Sequence, residues 1–139
     1  MNYCCLIFGG CYDSLIQPLE IAQRKCVRVM SCVDRQASSN PLFNNLEIFK
    51  FKDIYKYQLG IYMHKNPQIG IQSSTIHNYR TRSSLLVPAF QRLELTQRQS
   101  VAFQGPSLWN VIPIEIRNSQ SLSTFKHKLR KYLILQYCS

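Results

Sequence analysis

The strongest constraint on the fold is a run of apolar residues at helical spacing near the end of the sequence. Over residues 122–133 these side chains recur three or four positions apart, so an α-helix would place them on one face. Ser121 precedes the run and can serve as the helix N-cap. An apolar face of this kind is buried against other elements, so we expect it to belong to a core. Its members are Leu122, Phe125, Leu129, Tyr132 and Leu133.

A second helix is predicted over residues 14–31, where apolar residues again follow helical spacing. Ser14 can cap this helix, but Pro18 is compatible only with a first turn, so the helix is expected to begin a few residues after Ser14. The cysteines at positions 26 and 32 lie in this apolar pattern, which favours buried free thiols. The residues that share one face are Leu15, Leu19, Ala22, Cys26 and Met30.

A third helix is predicted over residues 52–65, and a short helical turn precedes it within residues 41–49. Pro, Gly and Ser are frequent over residues 66–84, which predicts a long loop, and residues 85–88 read as a short extended piece. The Gly-Pro pair at 105–106 predicts one short helix before it and another after it. The residues of the third helix expected to face inward are Ile54, Tyr57, Ile61 and Met63.

These elements predict a mainly α protein, a small helical domain or fragment of about five helices with a long central loop. The organisation that follows is a helical segment at 1–65, a loop or linker at 66–95 and a C-terminal helical segment at 96–139. Trp109 is the only tryptophan, and we expect it to anchor the core rather than to contact a ligand.

The charge of the chain favours a polyanionic partner. It has 17 Lys and Arg against 7 Asp and Glu, a net charge of +10, and residues 119–139 contain no acid. Nucleic acid is therefore slightly favoured over the plain alternative, a solvated basic surface. Our candidate nucleic-acid contacts are Arg24, Lys25, Arg28, Arg80, Arg82, Lys126, Lys128, Arg130 and Lys131.

Several kinds of chemistry have little support in the sequence. No two acids are adjacent or in DxD or ExD spacing, whereas nucleases and polymerases hold magnesium between clustered carboxylates. There is no P-loop and no CxxC pair, and the histidines are scattered, so we expect no enzymatic activity, metal, other cofactor or small-molecule substrate. With no signal peptide and no membrane span, we expect an intracellular chain with reduced cysteines.

The stretch HNYRTR, residues 77–82, lies in the predicted central loop. If it is extended, Arg80 and Arg82 would share one face and could contact phosphate, while Tyr79 and Thr81 would occupy the other. The same residues could instead form a hydrogen-bonded clasp that fixes the loop to the helices. Both interpretations stay open at this point.

Three segments together resemble a known family: residues 11–32, HNYRTR, and residues 100–133. Their order and spacing resemble the region downstream of the polymerase core in reverse transcriptases of jockey-like non-LTR (LINE-type) retrotransposons. The resemblance implies a thumb-like helical segment at 1–65 and a region that holds RNA or an RNA–DNA hybrid. The motif positions that it marks, with structural roles, are His77, Tyr79, Thr81, Trp109, Asn110, Pro113 and Phe125.

The chain departs from that family where catalysis is concerned. The Tyr-x-Asp-Asp motif of the polymerase core does not occur, and neither does an upstream endonuclease domain. We therefore expect a truncated, non-catalytic fragment whose former partner is the absent polymerase core. The alternative is a structural or interaction remnant with no independent biochemical function, which would expose an apolar patch and dimerise or aggregate.

Overall fold

Helices dominate the protein, as the sequence predicts. The computed structural model describes Leu6, residues 10–69, 71–72, 86–87 and 100–138. Within these ranges the prediction of a mainly α fold is confirmed. The helices are α1 (Asp13–Met30), α2 (Asn40–Asn45), α3 (Phe51–Lys65), α4 (Val101–Val111), α5 (Ile114–Arg117) and α6 (Leu122–Leu135), and a 3₁₀ turn follows at Gln136–Cys138.

Two short strands frame the central segment. The strand β1 (Ile71–Gln72) pairs antiparallel with β2 (Leu86–Val87), and Ile71 lies opposite Val87. The extended piece predicted at residues 85–88 is therefore present. Of the predicted loop at 66–84, residue 70 and residues 73–84, including HNYRTR, lie outside the described residues.

The larger part of the core lies where α6 meets the chain around α4 and α5. Phe125 and Leu129 of α6 are almost fully buried, and the predicted N-cap is confirmed because Ser121 Oγ accepts a hydrogen bond from the Thr124 N–H at 3.1 Å. The half-buried rings of Trp109 and Tyr57 pack against this group. The buried members are Ile112, Ile116, Phe125, Leu129 and Leu133.

A smaller second cluster connects the first two helices with the C-terminal part of the chain. It is formed by Val27 of α1, Phe43 of α2, Ile134 of α6 and Tyr137 of the 3₁₀ turn, all of them buried. The rings of Phe43 and Tyr137 meet edge to face, with centroids 6.2 Å apart. The chain end is thereby packed against the first two helices.

Helix α3 is the central element, because it packs against both α4 and α6. Two glycines permit the close approach: a methyl group at Gly60 would lie 2.7 Å from Leu129 Cδ2, and one at Gly105 would lie 2.5 Å from Met63 Sδ. Met63 is buried as predicted, while Ile54, Tyr57 and Ile61 are half-buried. Tyr55 and Leu59 are also buried, so α3 contacts its neighbours on more than one face.

Helix α1 differs from the prediction in two ways. It begins at Asp13 with Tyr12 as N-cap, so Ser14 is not the cap and Pro18 lies within the helix. The first turn is held from outside, because Asp13 pairs with Lys52 at 2.8 Å and Ile16 is buried. These contacts offset the hydrogen bond that Pro18 cannot donate.

The face of α1 that the protein buries is not the predicted one. The buried residues are Ile16 and Val27, whereas Cys26 is exposed, and Cys32 in the following turn is exposed as well. The expectation of buried thiols is therefore wrong at both positions. The core contacts α1 along a line next to its most apolar face, and that face remains exposed at Leu15, Leu19, Ala22, Cys26 and Met30.

Helix α4 also corrects the prediction. A single helix runs from Val101 to Val111 through Gly105 and Pro106, where two short helices were expected. Pro106 is almost fully buried and Gly105 lies against Met63 of α3. Tertiary packing therefore stabilises a helix that local preference would interrupt.

Candidate nucleic-acid interface

Among the predicted contacts that the structure describes, those on helix α6 form the most exposed group. Its apolar face is turned into the core, so the cations between the buried positions point outward. Lys128, Arg130 and Lys131 are exposed and Lys126 is half-buried. With no acid between Ser119 and Ser139, α6 has no carboxylate of its own to pair with these cations.

A groove of about 450 Å³ runs beside this surface, between α6 and the end of α2. We call it the α6 groove. Its basic lining side chains are His127, Arg130 and Lys131, and Glu47 contributes one carboxylate. The complete lining is Asn44, Glu47, His127, Arg130, Lys131, Ile134 and Leu135.

Arg130 is partly engaged within the protein. It donates a hydrogen bond to the Glu47 carbonyl oxygen at 3.2 Å, its Nη2 lies 3.8 Å from Glu47 Oε2, and the guanidinium lies over the Phe49 ring. Glu47 adopts a left-handed backbone conformation with φ of 51° at the end of α2. Arg130 therefore fixes this turn onto α6, while the neighbouring Lys128 and Lys131 are exposed.

The predicted basic residues of α1 do not form a comparable surface. Arg24 lies 3.5 Å from Glu20 in an i,i+4 ion pair, and Lys25 is exposed. Arg28 is half-buried and donates its Nε–H to the Ala37 carbonyl oxygen at 2.9 Å. Arg28 thus has a structural task, which is to fix the loop that follows α1.

The structure also shows a cation that sequence reasoning missed. Lys50 lies before α3, with its ammonium 4.3 Å from the centre of the Tyr137 ring. With Arg24 it lines a second, smaller cavity of about 190 Å³ that also includes Glu20, Ser39 and Asn40. Lys50 and Tyr137 are 87 positions apart, so no local pattern could have indicated their contact.

A buried polar network beside Lys50 was missed for the same reason. Tyr137 Oη donates to Asp53 Oδ2 at 2.8 Å and accepts from the Lys50 N–H at 3.0 Å. Gln23 of α1 supports the same turn, donating to the Phe49 carbonyl at 2.7 Å and accepting from the Phe51 N–H at 3.0 Å. These contacts connect α1, the start of α3 and the chain end.

The ionisation of Tyr137 follows from this environment. Burial raises the pKa of its phenol well above the usual value, since a buried phenolate would lack water, and the hydrogen bond to Asp53 also raises it. The hydrogen bond from the Lys50 N–H acts in the opposite direction. Tyr137 therefore stays protonated and keeps donating to Asp53 at neutral pH.

Two of the motif residues near the end of the chain, Trp109 and Phe125, meet in the core. Trp109 and Phe125 have ring centroids 5.8 Å apart, and His64 of α3 stacks on Phe125 at 4.3 Å. Pro113 is the N-cap of α5, and Asn110 lies within α4. Trp109 and Phe125 therefore serve packing, in agreement with the core role expected of Trp109, although its ring is only half-buried, while Pro113 is exposed.

The HNYRTR candidates, His77, Tyr79, Arg80, Thr81 and Arg82, lie outside the described residues. In the ranges 10–69 and 100–138, no three His, Cys, Asp or Glu side chains come together in a way that could hold a metal ion. No helix in the described part of the chain has both the length and the apolar character needed to cross a bilayer.

The chain was also compared with known proteins. Searches against protein-family models, curated proteins and solved structures found no match.

Proposed function

We propose that the protein is a non-catalytic nucleic-acid-binding fragment whose partner is RNA or an RNA–DNA hybrid. The observation that carries the proposal is the exposed cationic surface of α6 at Lys128 and Lys131, on a helix without acidic residues and beside the α6 groove, to which Glu47 contributes one carboxylate. Lysine ammonium groups contact phosphate oxygens without regard to base sequence. The resemblance to the C-terminal region of LINE-type reverse transcriptases adds support, because that region would hold a template or a primer–template hybrid.

The proposed contact is electrostatic. The ring cluster of Trp109, His64 and Phe125 is engaged within the protein, so these rings do not offer a stacking platform for bases. Binding should therefore be tolerant of sequence and depend on the Lys and Arg side chains that neutralise phosphates. We expect micromolar affinity at low salt.

The test is a titration of labelled RNA–DNA hybrid and of single-stranded RNA at several salt concentrations. Lys131→Gln should weaken binding and lower the slope of log affinity against log salt by about 1, because one phosphate contact is lost. Lys65→Gln is the matched control, since Lys65 is also an exposed helical lysine but lies outside the α6 surface. It should change the slope by much less.

Two results would contradict the proposal. The first is a lack of binding at low salt, and the second is an equal effect of Lys131→Gln and Lys65→Gln. In the second case the net charge of the chain, rather than the α6 surface, would determine the affinity.

A second candidate function, an interaction fragment with no nucleic-acid activity, is favoured by a different observation. The apolar face of α1 remains exposed, with Leu15 at 64% and Met30 at 64% of their full accessibility. Apolar patches of this kind are typical of protein–protein contact surfaces. This candidate predicts a stable association even where no nucleic acid binds.

A further inference from the structure

The most apolar face of α1 points away from the core of its own chain. At 3.6 residues per turn, this face lies about 90° around the helix from the line of Ile16 and Val27, which are buried. It runs for about 22 Å along the helix, given a rise of 1.5 Å per residue. We call this face the α1 stripe, and its residues, all exposed, are Leu15, Leu19, Ala22, Cys26, Val29 and Met30.

We propose that the α1 stripe is the contact surface of a homodimer, in which α1 of a second copy packs against it antiparallel. The proposal does not depend on nucleic-acid binding. The partner is a second copy, because the order of residue sizes along the stripe is nearly the same when it is reversed.

The exposed area of the stripe matches what a weak, reversible dimer buries. Leu15, Leu19, Val29 and Met30 are each at least half exposed, and Val29 reaches 77%. With roughly 100 Å² for each of these side chains and less for the two small residues, one stripe offers about 500 Å². Two stripes would remove at most about 1,000 Å² from water, which is the area of a weak, reversible dimer and lies below the roughly 1,200–2,000 Å² of stable complexes.

The order of residue sizes along the stripe fits a two-fold axis. Ala22 lies at the middle of the stripe, and the large residues Leu15, Val29 and Met30 lie towards its ends. An antiparallel copy centred between positions 22 and 23 places Leu15 opposite Met30 and Leu19 opposite Cys26. The two copies of Ala22 then lie side by side at the centre, so the helices can approach closely there while large side chains cover the ends. Self-complementary pairing about a two-fold axis is the commonest arrangement of homodimers.

The charges at the edge of the stripe predict how salt acts on the dimer. Lys25 flanks the stripe, and each copy carries a net charge of +10, so two copies repel each other. Salt screens this repulsion, so dimerisation should strengthen as salt rises. Binding to nucleic acid should weaken under the same change, which makes the two proposals separable in one buffer series.

The experiment is sedimentation equilibrium of the full chain, free of nucleic acid and with reductant present, at low and high salt. We expect a monomer–dimer equilibrium whose dissociation constant decreases as the salt concentration rises. Leu19→Glu should raise that constant about tenfold or more, because it buries a carboxylate in the contact. Ile21→Glu is the matched control, since Ile21 is also exposed on α1 but lies on another face, and it should change the constant by less than about threefold.

Thiol reactivity provides a second measurement that needs no variant. Cys26 lies in the stripe and Cys32 lies beyond the end of α1, and both are exposed in the single chain. Alkylation of Cys26 should slow as protein concentration rises, while Cys32 should react at a constant rate. In the antiparallel order two copies of Cys26 lie about 10 Å apart along the helix axis, so oxidation should not join them in a disulfide.

Several outcomes would overturn the proposal. They are a wild-type protein that stays monomeric at high concentration and high salt, equal effects of Leu19→Glu and Ile21→Glu, and a Cys26–Cys26 disulfide between copies. Growth in mass beyond two copies would also contradict it, because a two-fold contact closes on itself. If Leu19→Glu fails to fold by circular dichroism, the protection of Cys26 in the wild type decides between the outcomes.

Discussion

Tyr137 and Tyr55 are both buried, but their hydroxyl groups differ in hydrogen bonding. Tyr137 satisfies both its hydrogen-bonding roles, since it donates to Asp53 and accepts from the Lys50 N–H. Asp53 is buried and its other oxygen accepts from Lys56 Nζ at 2.8 Å. The hydroxyl of Tyr55 is buried without a hydrogen-bond partner among the described residues. Removal of the two hydroxyls should therefore have opposite consequences.

We expect Tyr137→Phe to lower the free energy of unfolding by about 1–3 kcal/mol at neutral pH. The substitution leaves Asp53 Oδ2 and the Lys50 N–H without the partner that they have now. Tyr55→Phe is the matched control and should be neutral or slightly stabilising, because it removes an unsatisfied buried group. Urea unfolding followed by circular dichroism measures both values, and equal losses would contradict the role of the network.

The same phenols predict how stability responds to alkaline pH. An unfolded tyrosine titrates near pH 10, whereas burial raises the pKa of Tyr137 and Tyr55 in the folded protein. Above that pH the unfolded chain releases protons that the folded protein keeps, so stability falls as pH rises. The wild type should lose stability above about pH 10, and Tyr137→Phe should lose less over the same range.

At the scale of elements, the crossing of α3 with α6 depends on Gly60. A methyl group there would lie 2.7 Å from Leu129 Cδ2, and Leu129 is almost fully buried. Alanine is the better helix former by about 1 kcal/mol, but overpacking a core costs typically 1–3 kcal/mol. The steric cost should exceed the gain in helix propensity, because α3 is packed between α4 and α6.

We therefore expect Gly60→Ala to destabilise the protein by about 1–2 kcal/mol. In a Leu129→Ala background the clashing atom is absent, so the same substitution should be neutral or stabilising there. Denaturant unfolding of the two single variants and the double variant measures the coupling. An identical cost of Gly60→Ala in both backgrounds would show that Leu129 is not the cause.

The elements differ in how far local sequence could predict them. The buried face of α6 and its Ser121 cap were predicted correctly, because both depend on local sequence. Helical spacing defines the face, and the cap is a hydrogen bond to a residue only three positions away, Thr124. The continuous helix α4 was not predicted, because the burial of Pro106, which stabilises it, depends on tertiary packing. The cations of α6 could be named from the sequence, but the groove beside them includes Asn44 and Glu47 from a distant segment.

For the whole molecule, salt is expected to weaken the proposed binding of nucleic acid and to strengthen the proposed dimer. The net charge of +10 attracts polyanions and repels other copies of the chain. The α6 surface and the α1 stripe lie on different helices, so the two proposed associations involve different residues. Each can therefore be weakened by substitution without a direct change to the other.

We expect a clean separation when both associations are measured across one salt series. From low to high salt, affinity for RNA–DNA hybrid should fall while the dimer becomes stronger. Leu19→Glu should weaken the dimer and leave the salt slope of hybrid binding unchanged within error. Lys131→Gln should lower that slope and leave the dissociation constant of the dimer unchanged. If each variant altered both associations, the α6 surface and the α1 stripe would have to act as one site.

Helical spacing and residue type predict a mainly helical chain, a face of α6 that buries Phe125 and Leu129, and basic residues over the rest of α6. These properties act over a few positions, so they can be recognised in the sequence. The inward position of Ile16 and Val27 in α1, and the contact of Tyr137 with Asp53, 84 positions away, arise only when the helices pack. Spacing defines which residues share a helix face, but the contacts of the assembled chain select the face that is buried.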